Sequence, residues 1–328
     1  MSKSLVKMMG AAVGTLVMLT CALAAEPISA GDSAKGTTSI QIGTLQVEVT
    51  GRLGLGRIDG ESKELVYNTD GTILSELIWT LDNVYMINGG ISVQPLSWLK
   101  FNADLWVAVN DGGGTMDDYD WLVSGMDWTH WSHHEDVSLD RGIMFDINAQ
   151  IPFYRLSGTV LSAFVGLKRD NWKWEAKGGT YIYSYYGFRD LSGSFPDGEL
   201  AITYEQWWTV PYLGLGFESQ LSNWILSGRL LASPFVQGEA EDMHHMRNLL
   251  FKDDFGTSSM WSVDFTTTYK FSPNWGISGA VKYQHYEEAK GSTTVINTLT
   301  GEQSYYGGDA AGADNEAVLA QLSLDYSF

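Results

Sequence analysis

Val318-Leu-Ala-Gln-Leu-Ser-Leu-Asp-Tyr-Ser-Phe328 alternates almost without fault: Val318, Ala320, Leu322, Leu324, Tyr326 and Phe328 are apolar, Gln321, Ser323, Asp325 and Ser327 are polar, and Leu319 is the exception. Successive side chains of an extended strand point to opposite faces. One face of this segment therefore meets apolar surroundings and the other does not. The same period runs through Leu99, Phe101, Ala103, Leu105, Val107 and Val109 against Lys100, Asn102 and Asp104. It returns in Trp261, Val263, Phe265, Tyr269 and Phe271 against Ser262, Asp264 and Lys270, and helical period is almost nowhere. The chain reads as all-β.

A soluble sandwich would also alternate, so the spacing of the connections decides. Four are short and rich in turn residues: Gln94-Pro-Leu-Ser97, Gln150-Ile-Pro-Phe153, Gln220-Leu-Ser-Asn223 and Ser272-Pro-Asn274. Between them lie five long polar, Gly-rich stretches near 57–73, 110–139, 178–200, 236–256 and 287–315. Short turns at one end and long loops at the other are the pattern of an outer-membrane barrel. Nine connections give a ten-stranded antiparallel transmembrane β-barrel with long extracellular loops and both termini on the short-turn side. Trp98, Tyr154, Trp224, Phe271 and Trp275 flank the turns, as an interfacial aromatic girdle would. Many of these strands exceed the 9–11 residues that cross a bilayer, so the barrel is expected to project beyond the lipid.

Lys3 and Lys7, an apolar run from about Met8 to Leu23, and Ala22-Leu-Ala24 mark residues 1–25 as a secretory signal peptide, leaving 26–328 as one barrel domain. Cys21, the one cysteine, falls inside that signal, and Met18-Leu-Thr20 before it fits a lipidation site poorly. Lys+Arg 20 against Asp+Glu 39 gives −19, and loss of Lys3 and Lys7 makes it −21. Such a field repels nucleic acid and attracts basic ligands.

Two pairs of ionisable residues carry the i, i+2 spacing that a strand turns into contact. In Glu241-Asp-Met-His-His245, Asp242 can fix the imidazole of His244, which titrates near neutrality and accepts a proton from water. In Met116-Asp-Asp-Tyr-Asp-Trp121, Asp118 and Asp120 share a face, and two adjacent carboxylates resist ionising together. Both pairs fall where strands enter the long stretches, at the outer mouth. A water held between them is a nucleophile made without metal or covalent intermediate. A metal site built from His130, His133, His134, Glu135, His244 and His245 is the competing chemistry, but no segment carries a recognised zinc spacing.

Gly178-Gly-Thr-Tyr-Ile-Tyr183, Gly187-Phe-Arg-Asp190 and Gly193-Ser-Phe-Pro-Asp-Gly-Glu199 resemble the third-loop signature of the omptins, outer-membrane endopeptidases of Gram-negative bacteria. Met116 to Trp121 and Val236 to His244 resemble that family's two catalytic segments, and the likeness extends from about Leu53 onward. The resemblance implies that Asp118 and Asp120 form an aspartate couple and Asp242 and His244 an Asp-His dyad. It also implies no metal or other cofactor, a monomer in outer-membrane lipid, and cleavage of peptides at basic residues. Lys63-Glu-Leu-Val-Tyr67 matches the segment whose glutamate binds the basic side chain before the scissile bond, so Glu64 inherits that role.

Two departures qualify these expectations. The second acidic position of the basic pocket falls on Ala240, which predicts a broadened preference unless Glu239 or Glu241 substitutes. The family needs lipopolysaccharide for activity, yet its lipid-A clamp falls on Leu167, Arg169, Asn171 and Trp207; Lys168, Arg169 and Lys173 are the basic residues nearby. His134 matches a second-loop histidine and stays outside the catalytic set. An adhesin or invasin on the same barrel, and a small porin, are the alternative functions.

Overall fold

The computed structural model describes residues 40–42 and 45–328. The signal peptide expected over 1–25, and the first residues assigned to the barrel domain, lie outside the described residues. The strand segments, in chain order, begin with β1 (Ile40–Ile42), β2 (Leu45–Tyr67), β3 (Ile73–Leu96), β4 (Leu99–Ala108), β5 (Met116–Asp120), β6 (His130–His134), β7 (Asp136–Leu156) and β8 (Thr159–Lys177). They continue with β9 (Thr180–Tyr183), β10 (Leu191–Ser194), β11 (Leu200–Leu221), β12 (Trp224–His244), β13 (Leu249–Phe255), β14 (Ser258–Lys270), β15 (Trp275–Asn297) and β16 (Gln303–Ser327). A 3-10 turn, His245–Arg247, joins β12 to β13.

Antiparallel pairing closes a ring of ten, β2-β3-β4-β7-β8-β11-β12-β14-β15-β16 and back to β2. The structure is therefore the expected ten-stranded barrel, and closure leaves no unpaired edge in its wall. β5, β6, β9, β10 and β13 continue the wall upward: β5 on β3, β6 on β5, β9 on β6, β10 on β9, and β13 between β12 and β15. Among the described residues β10 has β9 as its sole strand partner, so the raised wall ends there.

The alternation of β16 is inside-out relative to a soluble protein. Leu322 and Leu324 are exposed, whereas Ser323, Asp325 and Ser327 are buried in the barrel interior, and Leu319, the exception in the pattern, is buried as well. Leu53 and Leu55 on β2, Ile87 on β3, Leu105 on β4, Ile147 on β7, Leu213 and Leu215 on β11 and Leu230 on β12 extend the exposed apolar belt round the wall. Lipid is the surrounding that makes this arrangement favourable. At the short-turn end Trp98, Trp224, Phe271 and Trp275 face outward as expected, but at the β7 end Phe153 is the exposed ring and Tyr154 is half-buried.

The interior is packed, not open. Trp79, Trp172, Trp174, Trp208, Tyr204 and Tyr286 are fully buried. Trp79 stacks on Tyr204 with centroids 5.7 Å apart, and Trp208 stacks on Tyr286 at 5.0 Å. Nearby, Lys168 Nζ pairs with Asp170 at 2.7 Å, Arg229 pairs with Asp264, and Tyr212 donates to Asp146 at 2.5 Å. Paired in this way, buried charges offset part of the desolvation penalty that lone ones would carry in full. A lumen filled by side chains, as a narrow barrel allows, does not suit the porin alternative.

Two expectations about connections are corrected. The second short turn is Ser157-Gly158, with φ of 34° and 87°, and not the Pro-containing stretch 150–153. Two positive φ values suit a two-residue hairpin, whereas Pro152 sits inside β7 at a register shift, where a bulge tolerates a missing N–H. Three of the five polar stretches expected as loops, 57–73, 236–256 and 287–315, are mostly strand, whereas 110–139 and 178–200 carry the short strands β5, β6, β9 and β10 between irregular segments. Above the lipid belt the outer face is wetted, so hydrophobic alternation fades although the hydrogen-bonded ladder persists.

Candidate active site at the outer mouth

Beyond the belt, β12 carries Asp242 and His244 on its inner face. His244 Nε2 lies 2.6 Å from Asp242 Oδ2, and the ring packs on Phe251 of β13 with centroids 5.3 Å apart. Asp242 is buried, and its Oδ1 has no hydrogen-bond partner. Burial pulls the imidazole toward the neutral form, but the charge and hydrogen bond of Asp242, with Asp118 behind them, leave its pKa raised.

From the opposite side β5 presents Asp118 and Asp120, in register with Ser132 and His130 of β6. Asp118 accepts a hydrogen bond of 3.2 Å from Ser75 Oγ on β3. Burial, then Asp120, push its pKa to about 7, with His244 opposing and Asp242 adding to the rise. Burial also raises Asp120, against Ser75, His130, Arg247 and His244. Each pair thus lies in the field of the other. Tyr119, between the aspartates, points outward into a cluster with Trp121, Trp128 and Trp131.

The glycine pair after β8 sets the wall beside these aspartates. Gly178 and Gly179 have φ of 56° and 108°, and a Cβ on Gly179 would meet the His133 carbonyl oxygen at 2.5 Å. That kink lets β9 pair with β6, which brings Tyr183 level with His130 and within the field of Asp118 and Asp120. The histidines weighed as metal ligands are split: His133 faces outward and contacts Asp117 at 2.8 Å, while His134 is buried near Ser132 and stacks on Phe195.

Glu64 of β2 is buried beneath the dyad. Burial, then Asp242 and Asp253, raise its pKa well above the usual range, and its Oε2 has no hydrogen-bond partner. Ala240 faces inward and is buried, whereas Glu239 and Glu241 of the same strand lie on the outer face, Glu241 pairing with Lys252 at 2.5 Å. Neither can stand in for an acid at position 240, because odd and even positions of β12 face opposite ways. Lys168 is likewise excluded from an outer phosphate site, since it is buried in the interior on Asp170.

Several neighbours escaped the sequence reading. Ser75, Tyr183, Arg247 and Asp253 are placed by register between strands distant in the chain. The one available signal was Phe251-Lys-Asp-Asp-Phe255, in which Asp253 interrupts an otherwise aromatic face.

A family model described as the Omptin family matches residues 45–328. The chain is 30% identical over 275 residues to a plasminogen activator of Yersinia pestis, covering 83% of this chain and 87% of that protein. It is 29% identical over 286 residues to the outer membrane protease OmpP of Escherichia coli (strain K12), covering 86% and 90%. The crystal structure of the outer membrane protease OmpT from Escherichia coli matches with a TM-score of 0.82 at 28% identity, over 86% of this chain and 97% of that one. The chain belongs to the omptin family. This omptin is an outer-membrane β-barrel of a protease family, acting on peptide or protein substrates.

Proposed function

We propose that this omptin is an endopeptidase that cleaves peptide bonds next to basic residues, with water activated between the Asp242-His244 dyad and the Asp118-Asp120 couple. The carrying observation is the 2.6 Å contact of His244 Nε2 with Asp242 on β12, facing Asp118 across the mouth. With Nε2–H donated to Asp242, Nδ1 accepts the proton of a water held by Asp118. The water oxygen attacks the scissile carbonyl carbon, and the imidazolium formed is stabilised by Asp242. Asp118, its pKa pushed up to about 7 by burial and Asp120, can in its protonated form donate to the developing oxyanion. The imidazolium then returns its proton to the amide nitrogen, and the C–N bond breaks.

On this reading Glu64 holds the cationic side chain before the scissile bond, and the charge of −21 left after removal of Lys3 and Lys7 concentrates basic peptides at the mouth. No metal or organic cofactor takes part, because the dyad itself supplies the base, and the barrel acts as a monomer. Chelation of divalent ions is expected to leave cleavage intact once lipopolysaccharide is supplied.

Lipopolysaccharide is the proposed lipid partner. Arg141, Arg169 and Lys173 face outward, although Arg141 reaches Glu205 at 2.8 Å and Lys173 reaches Asp140 at 2.9 Å. Cations already paired in this way hold phosphate less firmly, so the requirement is expected to be weak. A cleavage profile of the refolded full chain on a peptide library, with and without lipopolysaccharide, tests the proposal. Cuts at basic residues support it; an intact library in both conditions favours the adhesin alternative.

A further inference from the structure

Ala240 removes an expected carboxylate from the basic pocket, and the residue directly across the ladder supplies one. Cα pairing of β12 with β13 sets Ala240 opposite Asp253, with Glu239 opposite Asp254 and Glu241 opposite Lys252. Inward-facing side chains at opposed antiparallel positions have Cβ atoms about 4.5–5.5 Å apart. An Asp at 253 therefore reaches the space that an Asp at 240 would occupy, from the neighbouring strand. Asp253 is buried and faces inward between Phe251 and Phe255, while Lys252 and Asp254 face out.

The groups around Asp253 are acidic and deeply buried. Asp253 Oδ1, Asp242 Oδ1 and Glu64 Oε2 are all buried without a hydrogen-bond partner. Each of the three residues is more than nine-tenths buried, at 7%, 1% and 3% exposure. Among the described residues no lysine or arginine pairs with Glu64 or Asp253: Lys63 is taken by Glu76 and Lys252 by Glu241. Thr293, opposite Asp253 on β15, and a proton held between Glu64 and Asp242 ease their burial, but neither is a cation, and a guanidinium or ammonium entering from the mouth would engage the free oxygens of all three.

We propose that Asp253 is a specificity-determining residue of this protease: together with Glu64 it binds the cationic side chain preceding the scissile bond, in place of the acid missing at position 240. The inference rests on the basic-pocket reading given above, and it goes beyond that reading by assigning the second contact to a different strand. It also replaces the expectation of a broadened pocket with that of a retained basic preference.

The test compares kcat/KM for two peptides differing only in Arg or Gln before the scissile bond, using refolded full-length protein with lipopolysaccharide. Asp253→Asn is expected to lower the Arg-to-Gln ratio about ten- to a hundredfold, the loss of one charge-assisted contact. Asp253→Ala combined with Ala240→Asp, which returns the carboxylate to β12, is expected to recover most of that ratio, which a merely structural role for Asp253 would not do. If Glu64→Gln lowers the ratio and Asp253→Asn leaves it unchanged, the assignment of Asp253 is overturned while the basic pocket stands. If neither substitution moves the ratio, both the assignment and the pocket fall. Heat-modified gel mobility of each variant reports whether the barrel has folded. Should Asp253→Asn fail to fold, Asp253→Ser takes its place, with the same ratio deciding.

Discussion

His244 Nε2 and Asp242 Oδ2 stand 2.6 Å apart on the inner face of one strand, in a pocket where burial alone would strip the imidazole of its proton. The carboxylate reverses that tendency, and the folded protein holds His244 with a raised pKa. A base works only when unprotonated, so acidification through that raised value extinguishes catalysis. The acid limb of kcat/KM is therefore expected above the ordinary histidine value of about 6.5. Asp242→Asn leaves desolvation unopposed by its charge and should move the limb to lower pH while lowering the plateau. A pH–rate profile of both proteins checks this; a limb that stays in place or rises in the variant would exclude His244 as the group titrating.

Ser75 makes an opposite prediction from the other side of the mouth. Its hydroxyl donates to Asp118 at 3.2 Å and opposes the rise that burial and Asp120 impose, to about 7. Ser75→Ala should raise the Asp118 pKa further and shift the pH profile upward, with a loss of about 1.5–3 kcal/mol of stabilisation of the ionised couple. The folded barrel should be unaffected. A profile identical to that of the wild type would show that this hydrogen bond does not tune the couple.

Leu322 and Ser323 are neighbours in sequence with opposite surroundings, one on lipid and the other in the packed interior. Leu322→Arg places a charge on the lipid face and is expected to cost about 2–4 kcal/mol if this belt position lies near the bilayer midplane. Reversible denaturant unfolding in lipid vesicles measures it. A change below about 0.5 kcal/mol, the range of ordinary surface substitutions, would mean that the exposed belt through Leu53, Leu215 and Leu322 is not lipid-facing.

The alternation from Val318 to Phe328 was sufficient to read strand, because lipid on one face and packed polar groups on the other impose a two-residue period, and the spacing of short turns and long stretches turned strand into barrel. Strand count followed from turns and excursions, and closure of β16 on β2 bears it out. Turn chemistry misled at Pro152, where a bulge accommodates the proline, and the polar strands above the belt passed for loops. At the site, pairs local in sequence were legible because i and i+2 share a face, as for Asp242 with His244. Ser75, Arg247 and Asp253 were not, because their positions depend on register between strands, which no local pattern encodes. Asp253 opposite Ala240 is the clearest case: a carboxylate absent from one strand has its counterpart on the next.

The central claim, that the two pairs facing one another across the mouth cut the peptide bond, is tested most directly by kcat/KM of His244→Ala and Asp118→Asn on one Arg-containing peptide. Heat-modified mobility must first show that each barrel is folded. Each substitution removes a group that positions or deprotonates the attacking water, and each is expected to lower the rate by about 10²–10⁴. A loss under about tenfold in either folded variant, well short of a general-base contribution, would contradict it.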